Sequence, residues 1–186
     1  MREIRLHGRG GQGTVKAAQT LVQSLIEQGK YAQFIPFFGV ERKGSPVFGF
    51  LRIDEKPIRL KTQVYDPHCL IVLDDTLLDT VPVFDGLREG GILVINSRLD
   101  QKTFCSNQNV YKLGIVDATG IAEELVGRNM PPNTAILGAF AKVTGWVDWP
   151  ILQKVIEEKF GKKNLDAALK AYENTIVHDC QRGLEQ

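Results

Sequence analysis

Short apolar runs and stretches with helical spacing alternate along the chain. Residues 4–7 form a short apolar-rich run, and Ala18, Leu21, Val22 and Leu25 then recur at the spacing of one helix face. Further strands are predicted at residues 31–38, 47–53, 69–73, 92–95 and 110–113. Further helices are predicted at residues 76–87, 121–126, 133–143, 150–160 and 165–177.

This alternation predicts βαβ units, which close with right-handed crossovers into a parallel sheet. The uninterrupted apolar run at residues 69–73 is typical of a parallel strand that is buried on both faces. Residues 57–62 are a candidate hairpin partner for the strand at 47–53, which predicts an antiparallel excursion there. The predicted fold is α/β and Rossmann-like, with a mostly parallel sheet, helices on both faces and a helical C-terminal tail.

The length of 186 residues suits one domain and is short for two. We therefore predict a single domain over residues 1–186, with a core at about 3–160 and a C-terminal helix at about 165–177. No apolar run approaches the roughly 20 residues of a membrane span, and the first residues lack a signal-peptide core. We expect a cytoplasmic protein that does not contact a membrane.

Charge and cysteine usage exclude several function classes. A net charge of +1 argues against a strongly basic protein that binds nucleic acid. Cys69, Cys105 and Cys180 lie far apart and form no Cys-x-x-Cys pair. The chain therefore cannot hold an iron–sulfur cluster or a four-cysteine zinc site by itself, and no metal-ligand spacing is found.

The positive charge is concentrated near the beginning of the chain. The first 60 residues hold ten lysines and arginines against five acidic residues. One interpretation is an ordinary solvated face with charges placed by chance. A second interpretation is a site for an anionic ligand or an acidic partner surface.

A glycine-rich loop follows the first strand and opens the first helix. Its pattern, Gly8-x-Gly10-x-x-Gly13, has the context of a phosphate-binding turn, and Arg9 and Lys16 add positive charge. A dinucleotide site also needs an acidic residue at the end of the second strand, and the nearest acid, Glu41, stands in a loop beside Arg42 and Lys43. The Gly-Lys-Ser/Thr of a P-loop is absent as well. A simpler interpretation is that these glycines only permit a tight turn.

A second segment at residues 39–47 places Arg42 and Lys43 between glycines. Arginine offers a bidentate fork and lysine a mobile point charge, so the pair is a candidate anion clamp. Taken alone, the segment is more typical of an exposed turn with ordinary surface charges. Open α/β sheets bind ligands at the carboxyl ends of their strands, which favours a joint site with the glycine loop.

Other candidate catalytic groups are weak. His178-Asp179-Cys180 is adjacent in sequence, and neighbouring residues of a helix point apart, so a packing role is expected. His68 is expected to be structural. Asp74 and Asp75 follow a buried strand, where we expect them to cap the next helix. We assign no catalytic residue to this chain.

Four segments that occur in order along the chain carry a family resemblance. They are residues 7–13 (His-Gly-Arg-Gly-Gly-Gln-Gly), 39–47 (Gly-Val-Glu-Arg-Lys-Gly-Ser-Pro-Val), 117–119 (Asp-Ala-Thr) and 133–139 (Asn-Thr-Ala-Ile-Leu-Gly-Ala). Together they resemble the gamma subunit of 2-oxoacid:ferredoxin oxidoreductases of the pyruvate synthase type.

The resemblance implies a subunit of a larger enzyme that is not catalytic alone. Such complexes decarboxylate a 2-oxoacid on thiamine diphosphate with Mg²⁺, pass electrons through [4Fe-4S] clusters to ferredoxin, and form acyl-coenzyme A. The expected partners are alpha, beta and delta subunits, which hold these cofactors. No cofactor is expected to bind tightly to this chain, and coenzyme A would be the co-substrate.

The resemblance also implies a set of residues that bind coenzyme A. Carried over by position, these are Gly8, Arg9, Gly10, Gly11, Gln12, Gly13, Thr14, Arg42, Lys43, Gly44 and Asn133. Pyruvate is the first expectation for the 2-oxoacid, and branched-chain, aryl and 2-oxoglutarate variants remain open. Two different functions also stay open, namely a purely structural subunit and a free-standing nucleotide-binding dehydrogenase.

Overall fold

The fold is built on a mixed seven-stranded sheet, seen in a computed structural model that describes residues 1–37 and 43–180. Within these residues the strands are β1 Arg2–Arg9, β2 Tyr31–Phe37, β3 Pro46–Asp54, β4 Cys69–Val72, β5 Gly91–Asn96, β6 Val110–Val116 and β7 Ile176–Asp179. The α-helices are α1 Thr14–Glu27, α2 Gln101–Cys105, α3 Ala118–Leu125, α4 Ala135–Thr144, α5 Trp149–Phe160 and α6 Lys162–Asn174.

The strands lie in the order β2-β3-β1-β4-β5-β6-β7. Strands β1, β4, β5 and β6 are parallel neighbours, while β3 runs antiparallel to both β1 and β2, and β7 runs antiparallel to β6. The α/β, Rossmann-like prediction is therefore confirmed. The predicted antiparallel excursion is β3, but residues 57–62 form no strand, because β3 finds its partners in β1 and β2.

Successive side chains of a strand point to opposite faces of the sheet, so the apolar core is divided into two clusters, one on each face. Ile4 and Leu6 belong to one apolar cluster, to which α1, α3, α4, α5 and α6 all contribute. Leu70 and Val72 of β4 face the other side and pack with Phe104 of α2. The larger helices thus lie on one face, and the carboxyl ends of the central parallel strands meet at one edge.

Two predicted helices differ from the structure. Residues 76–87 form a 3₁₀-helix over Asp75–Asp79 only, since Pro82 lacks the amide hydrogen that a continuing helix needs. The C-terminal helix ends at Asn174 rather than at residue 177. The β-branched residues Ile176 and Val177 pair with β6 instead, because such side chains suit an extended strand.

A disulfide joins Cys105 at the end of α2 to Cys180 after β7, across 75 residues of sequence. Such bonds are uncommon in the cytoplasm of most organisms but are frequent in intracellular proteins of hyperthermophilic archaea and bacteria. Cys69 is buried and unbonded, and burial raises the pKa of its thiol. None of the helices in the described parts of the chain is long and apolar enough to cross a membrane.

Arg5 and His7 are buried side by side on the face of β1 opposite Ile4 and Leu6. The Arg5 Nε donates to His7 Nε2 at 2.9 Å. Burial, reinforced by the charge of Arg5, lowers the pKa of His7 from 6.5 to about 3. His7 is therefore neutral at physiological pH and acts as an acceptor for the guanidinium.

This pair makes stability depend on pH. Between the folded pKa of about 3 and the unfolded value of 6.5, the unfolded chain binds more protons at His7, so stability falls as the pH falls. Replacing His7 by Gln removes the titrating group. We expect the wild type to lose about 3 kcal/mol more unfolding free energy than His7→Gln between pH 7 and pH 4. Urea unfolding at both pH values measures this, and equal losses would contradict it.

Candidate functional site

The glycine loop, residues 8–13, lies at the carboxyl end of β1 and leads directly into α1. Gly11 and Gly13 have φ values of +98° and +75°, a region that residues with a Cβ seldom adopt. Gly13 is the N-cap of α1, and none of the side chains that the structure describes caps this helix. The first amides of α1 therefore lack the usual internal acceptor and carry the positive end of the helix dipole.

The polar side chains of the loop turn inward. Gln12 Oε1 accepts from the Arg9 amide at 2.7 Å, and Gln12 Nε2 donates to Asp74 Oδ2 at 2.6 Å. Arg9 Nη2 donates to Thr76 Oγ1 at 2.8 Å, and Arg9 Nε lies 3.3 Å from Asp74 Oδ2. Arg9 and Gln12 thus hold the loop in shape, and their side-chain donors are engaged within the chain.

Asp74 is the anchor of this arrangement. It caps the 3₁₀-helix as expected, since its side chain accepts from the Thr76 amide. Burial raises the pKa of Asp74, but the hydrogen bonds from Thr76 and Gln12 and the charge of Arg9 hold it below its ordinary value. The carboxylate is ionised at neutral pH and fixes the loop through its contacts with Gln12 and Arg9. Its second role, as a partner of the glycine loop, was not predicted from the sequence.

The described part of the second segment lies directly beside the glycine loop. The Gly10 amide donates to Ser45 O at 2.9 Å, and the Gly44 amide donates to Gly10 O at 3.1 Å. Arg9 Nη1 also donates to Gly44 O, at 3.2 Å. Lys43 is exposed next to this junction. Arg42, with the rest of residues 38–42, lies outside the described residues, so its predicted clamp role stays a prediction.

Asn133 and Thr14 complete the floor of the site. Asn133 is buried against Gly13, where a Cβ would lie 2.9 Å from its Cβ and Cγ. The Thr14 hydroxyl is buried against Gly8 and has no hydrogen-bond partner among the described residues. The structure thus brings together at one edge all of the predicted site residues that it describes. Only a backbone without side chains at positions 8 and 13 fits this geometry.

The other polar candidates have structural roles. His68 Nδ1 accepts from the Glu3 amide at 3.1 Å, and Arg88 approaches its Nε2. Asp117 caps α3 by accepting from the Gly120 amide at 2.9 Å. Among residues 1–37 and 43–180 no group of three or more His, Cys, Asp or Glu side chains is placed to hold a metal ion. The chemistry that the edge supports is anion binding.

Comparisons with known proteins agree with this architecture. The sequence model of the family described as pyruvate ferredoxin/flavodoxin oxidoreductase matches residues 3–176. The pyruvate/ketoisovalerate oxidoreductases common subunit gamma of Thermococcus kodakarensis is 50% identical over 185 residues, which cover 96% of this chain and 100% of that protein. Pyruvate synthase subunit PorC of Methanothermobacter marburgensis is 51% identical over 177 residues, covering 93% of this chain and 97% of the relative.

A solved structure gives the same result. The crystal structure of pyruvate oxidoreductase subunit PORC from Thermotoga maritima superimposes with a TM-score of 0.82 at 37% sequence identity. The match covers 95% of this chain and 97% of the other. Fold, sequence and the ordered motifs therefore point to the same kind of subunit.

Proposed function

The chain belongs to the pyruvate ferredoxin/flavodoxin oxidoreductase family as a gamma-type subunit of a 2-oxoacid:ferredoxin oxidoreductase, and we propose that it helps this complex to bind coenzyme A. The proposal rests on the start of α1 at Gly13, which no described side chain caps, and on exposed Lys43, whose neighbour Gly44 bonds to the glycine loop. A phosphate is the natural ligand of such a helix start. Coenzyme A is a polyanion, which suits two adjacent cationic loops.

The residues present fit this ligand. Without side chains at Gly8 and Gly13, the buried Thr14 and Asn133 pack directly against the loop, which leaves the backbone amides at the start of α1 as the groups that would meet a phosphate. Lys43 and Arg42 would neutralise phosphate charge, and Asn133 would orient the ligand from the floor. Arg9 and Gln12 hold the loop in shape through Asp74 and Thr76, and in this proposal the loop meets the ligand through its backbone.

The remaining groups of the reaction belong to partner chains in this proposal. Alpha and beta subunits would hold thiamine diphosphate and Mg²⁺, and a delta subunit would carry the [4Fe-4S] clusters that reduce ferredoxin. In the described residues two of the three cysteines are joined by the disulfide and the third is buried, which leaves no cluster ligands here. We place the complex in the cytoplasm.

Pyruvate is the proposed 2-oxoacid, and the choice of substrate would lie with the partner chains. The Thermococcus relative is named as a subunit common to pyruvate and ketoisovalerate oxidoreductases. A gamma subunit of this kind therefore does not itself set the substrate. Branched-chain, aryl and 2-oxoglutarate substrates differ from pyruvate only in a part of the molecule that this chain would not touch.

Calorimetric titration of the assembled complex tests the ligand. We expect saturable binding of coenzyme A and no saturable binding of NAD⁺, because the second strand does not end in the acidic residue of a dinucleotide site and the nearest acid, Glu41, stands beside Arg42 and Lys43. Binding of NAD⁺ at the same site would instead support the free-standing dehydrogenase. The isolated chain is expected to show no turnover with pyruvate, coenzyme A and an electron acceptor.

One observation favours a second candidate, the purely structural subunit. Both polar side chains of the glycine loop are engaged internally, as in a loop that serves only to pack. That candidate predicts that loop variants impair assembly of the complex and leave the affinity of the assembled fraction for coenzyme A unchanged. Our proposal predicts that loop variants weaken the binding of coenzyme A and leave assembly of the complex unchanged.

A further inference from the structure

One face of the sheet carries an aromatic row across β2, β3 and β1, and the row is exposed at its β2 end. We define this aromatic face by Phe37 of β2, Phe48 and Phe50 of β3, and His7 of β1. The Phe37 and Phe48 rings stack at 4.7 Å, Phe48 meets Phe50 edge-on at 5.8 Å, and His7 stacks on Phe48 at 6.0 Å. Phe37 is 40% exposed and Phe48 is half-buried, while Phe50 and His7 are buried. Sheets in α/β proteins are normally covered on both faces, so the exposed end of the row at Phe37 indicates an external cover.

A pocket of about 460 Å³ opens along this face. Phe48, Phe50 and Val64 give it apolar walls, Tyr65 lies at its border with 69% of its surface exposed, and Arg5 contributes to its lining. The pocket is large enough to receive several side chains. Exposed aromatic residues beside a concave apolar surface are typical of protein–protein interfaces.

A buried cation in the pocket favours an anionic group. Arg5 is buried and donates to His7 Nε2 and, through Nη2, to the backbone oxygens of Val83 and Asp85. None of the ion pairs within residues 1–37 and 43–180 includes Arg5, and its imidazole neighbour His7 is neutral. Burial lowers the pKa of Arg5, and the charge of Asp85, which also lines the pocket, offsets this only in part. A buried cation without a carboxylate in direct contact is costly, and an incoming carboxylate removes that cost. The excess of basic residues in the first 60 positions also favours an acidic partner surface.

We propose that the aromatic face is the contact surface for another subunit of the oxidoreductase, which inserts an aspartate or glutamate flanked by apolar side chains toward Arg5. This inference rests on the proposed assembly with alpha, beta and delta subunits. The apolar flank covers the aromatic row, and the carboxylate pairs with the guanidinium in a site from which water is excluded. The surface is separate from the glycine loop in its chemistry, although Gly8 borders both.

Charge variants of Tyr65 in the co-expressed complex test this assignment. An acidic partner surface tolerates a new cation better than a new anion, so we expect Tyr65→Glu to lower recovery of partner chains on a tagged gamma subunit at least about tenfold. Tyr65→Lys should lower it about threefold or less, and Tyr65→Phe not at all. Ile26→Glu, at a 55% exposed position of α1 on the opposite face, is the matched control and should leave recovery unchanged. Equal recovery with Glu and Lys at position 65 would overturn the proposal.

A photo-crosslinker in place of Tyr65 gives a second readout that does not depend on disrupting the contact. Irradiation of the intact complex should join the gamma chain to another subunit at a peptide that contains Asp or Glu. Crosslinks only to a second gamma chain, or none in a complex that stays assembled, would overturn the proposal. Coenzyme A affinity is measured on the same samples, so failure of the coenzyme A assignment and failure of this contact are distinguished.

Discussion

Replacing Arg42 and Lys43 together by alanine is expected to raise the KM for coenzyme A about a hundredfold in the assembled complex. Each hydrogen bond to a charged group contributes about 1.5–3 kcal/mol, and two such losses correspond to at least that change in affinity. The kcat should stay near the wild-type value at saturating coenzyme A, because these residues hold a part of the molecule remote from the reacting thiol. Steady-state kinetics with varied coenzyme A measures both parameters.

The matched control removes the same charge elsewhere. Lys154 and Lys159 are exposed on α5, and Lys154 pairs with Glu27 at the far end of α1 from the glycine loop. Lys154→Ala combined with Lys159→Ala should leave the KM for coenzyme A within about twofold of wild type, since exposed charges at a distance are screened. If both double variants raise the KM equally, the effect is general electrostatics and the clamp assignment is wrong.

Gly13→Ala is expected to abolish measurable coenzyme A binding and to destabilise the chain by about 2–4 kcal/mol. A Cβ costs about 1–2 kcal/mol in the left-handed conformation, and here it would also press on buried Asn133 at 2.9 Å. Both the loop and the start of α1 would have to shift. Calorimetry of the complex measures the affinity, and urea unfolding of the isolated chain measures the stability.

Gly29→Ala is the control variant, because it introduces the same kind of backbone strain at a position away from the site. Gly29 has a φ of +84° and would place its Cβ in open space after the other end of α1. We expect a loss of about 1 kcal/mol and unchanged affinity for coenzyme A. A Gly13→Ala variant that binds coenzyme A as tightly as Gly29→Ala would show that the ligand lies away from the start of α1.

The sequence was sufficient for features that depend on local pattern. The apolar run around Ile71 and the turn from the glycine loop into α1 follow from spacing and residue type, and the structure places them as predicted. The adjacency of the two glycine-containing loops also followed, because strand ends of an α/β sheet share an edge.

Features that depend on distant pairing could not be read from the chain. Asp74 and Gln12 are 62 residues apart, and Cys105 and Cys180 are 75 apart, so nothing local marks either pair. The insertion of β3 between β1 and β2 replaced the expected hairpin for the same reason. The spacing of Ile176 and Val177 predicted that the last helix continues through them. In the structure they pair with the edge of β6 as a strand, a contact that the local sequence does not show.

A structure of the assembled complex with coenzyme A bound tests the central claim most directly. We predict phosphate oxygens within hydrogen-bond distance of the first amides of α1, with the Lys43 ammonium beside them. A structure in which a neighbouring subunit covers Gly13 and coenzyme A lies on other chains would contradict the account.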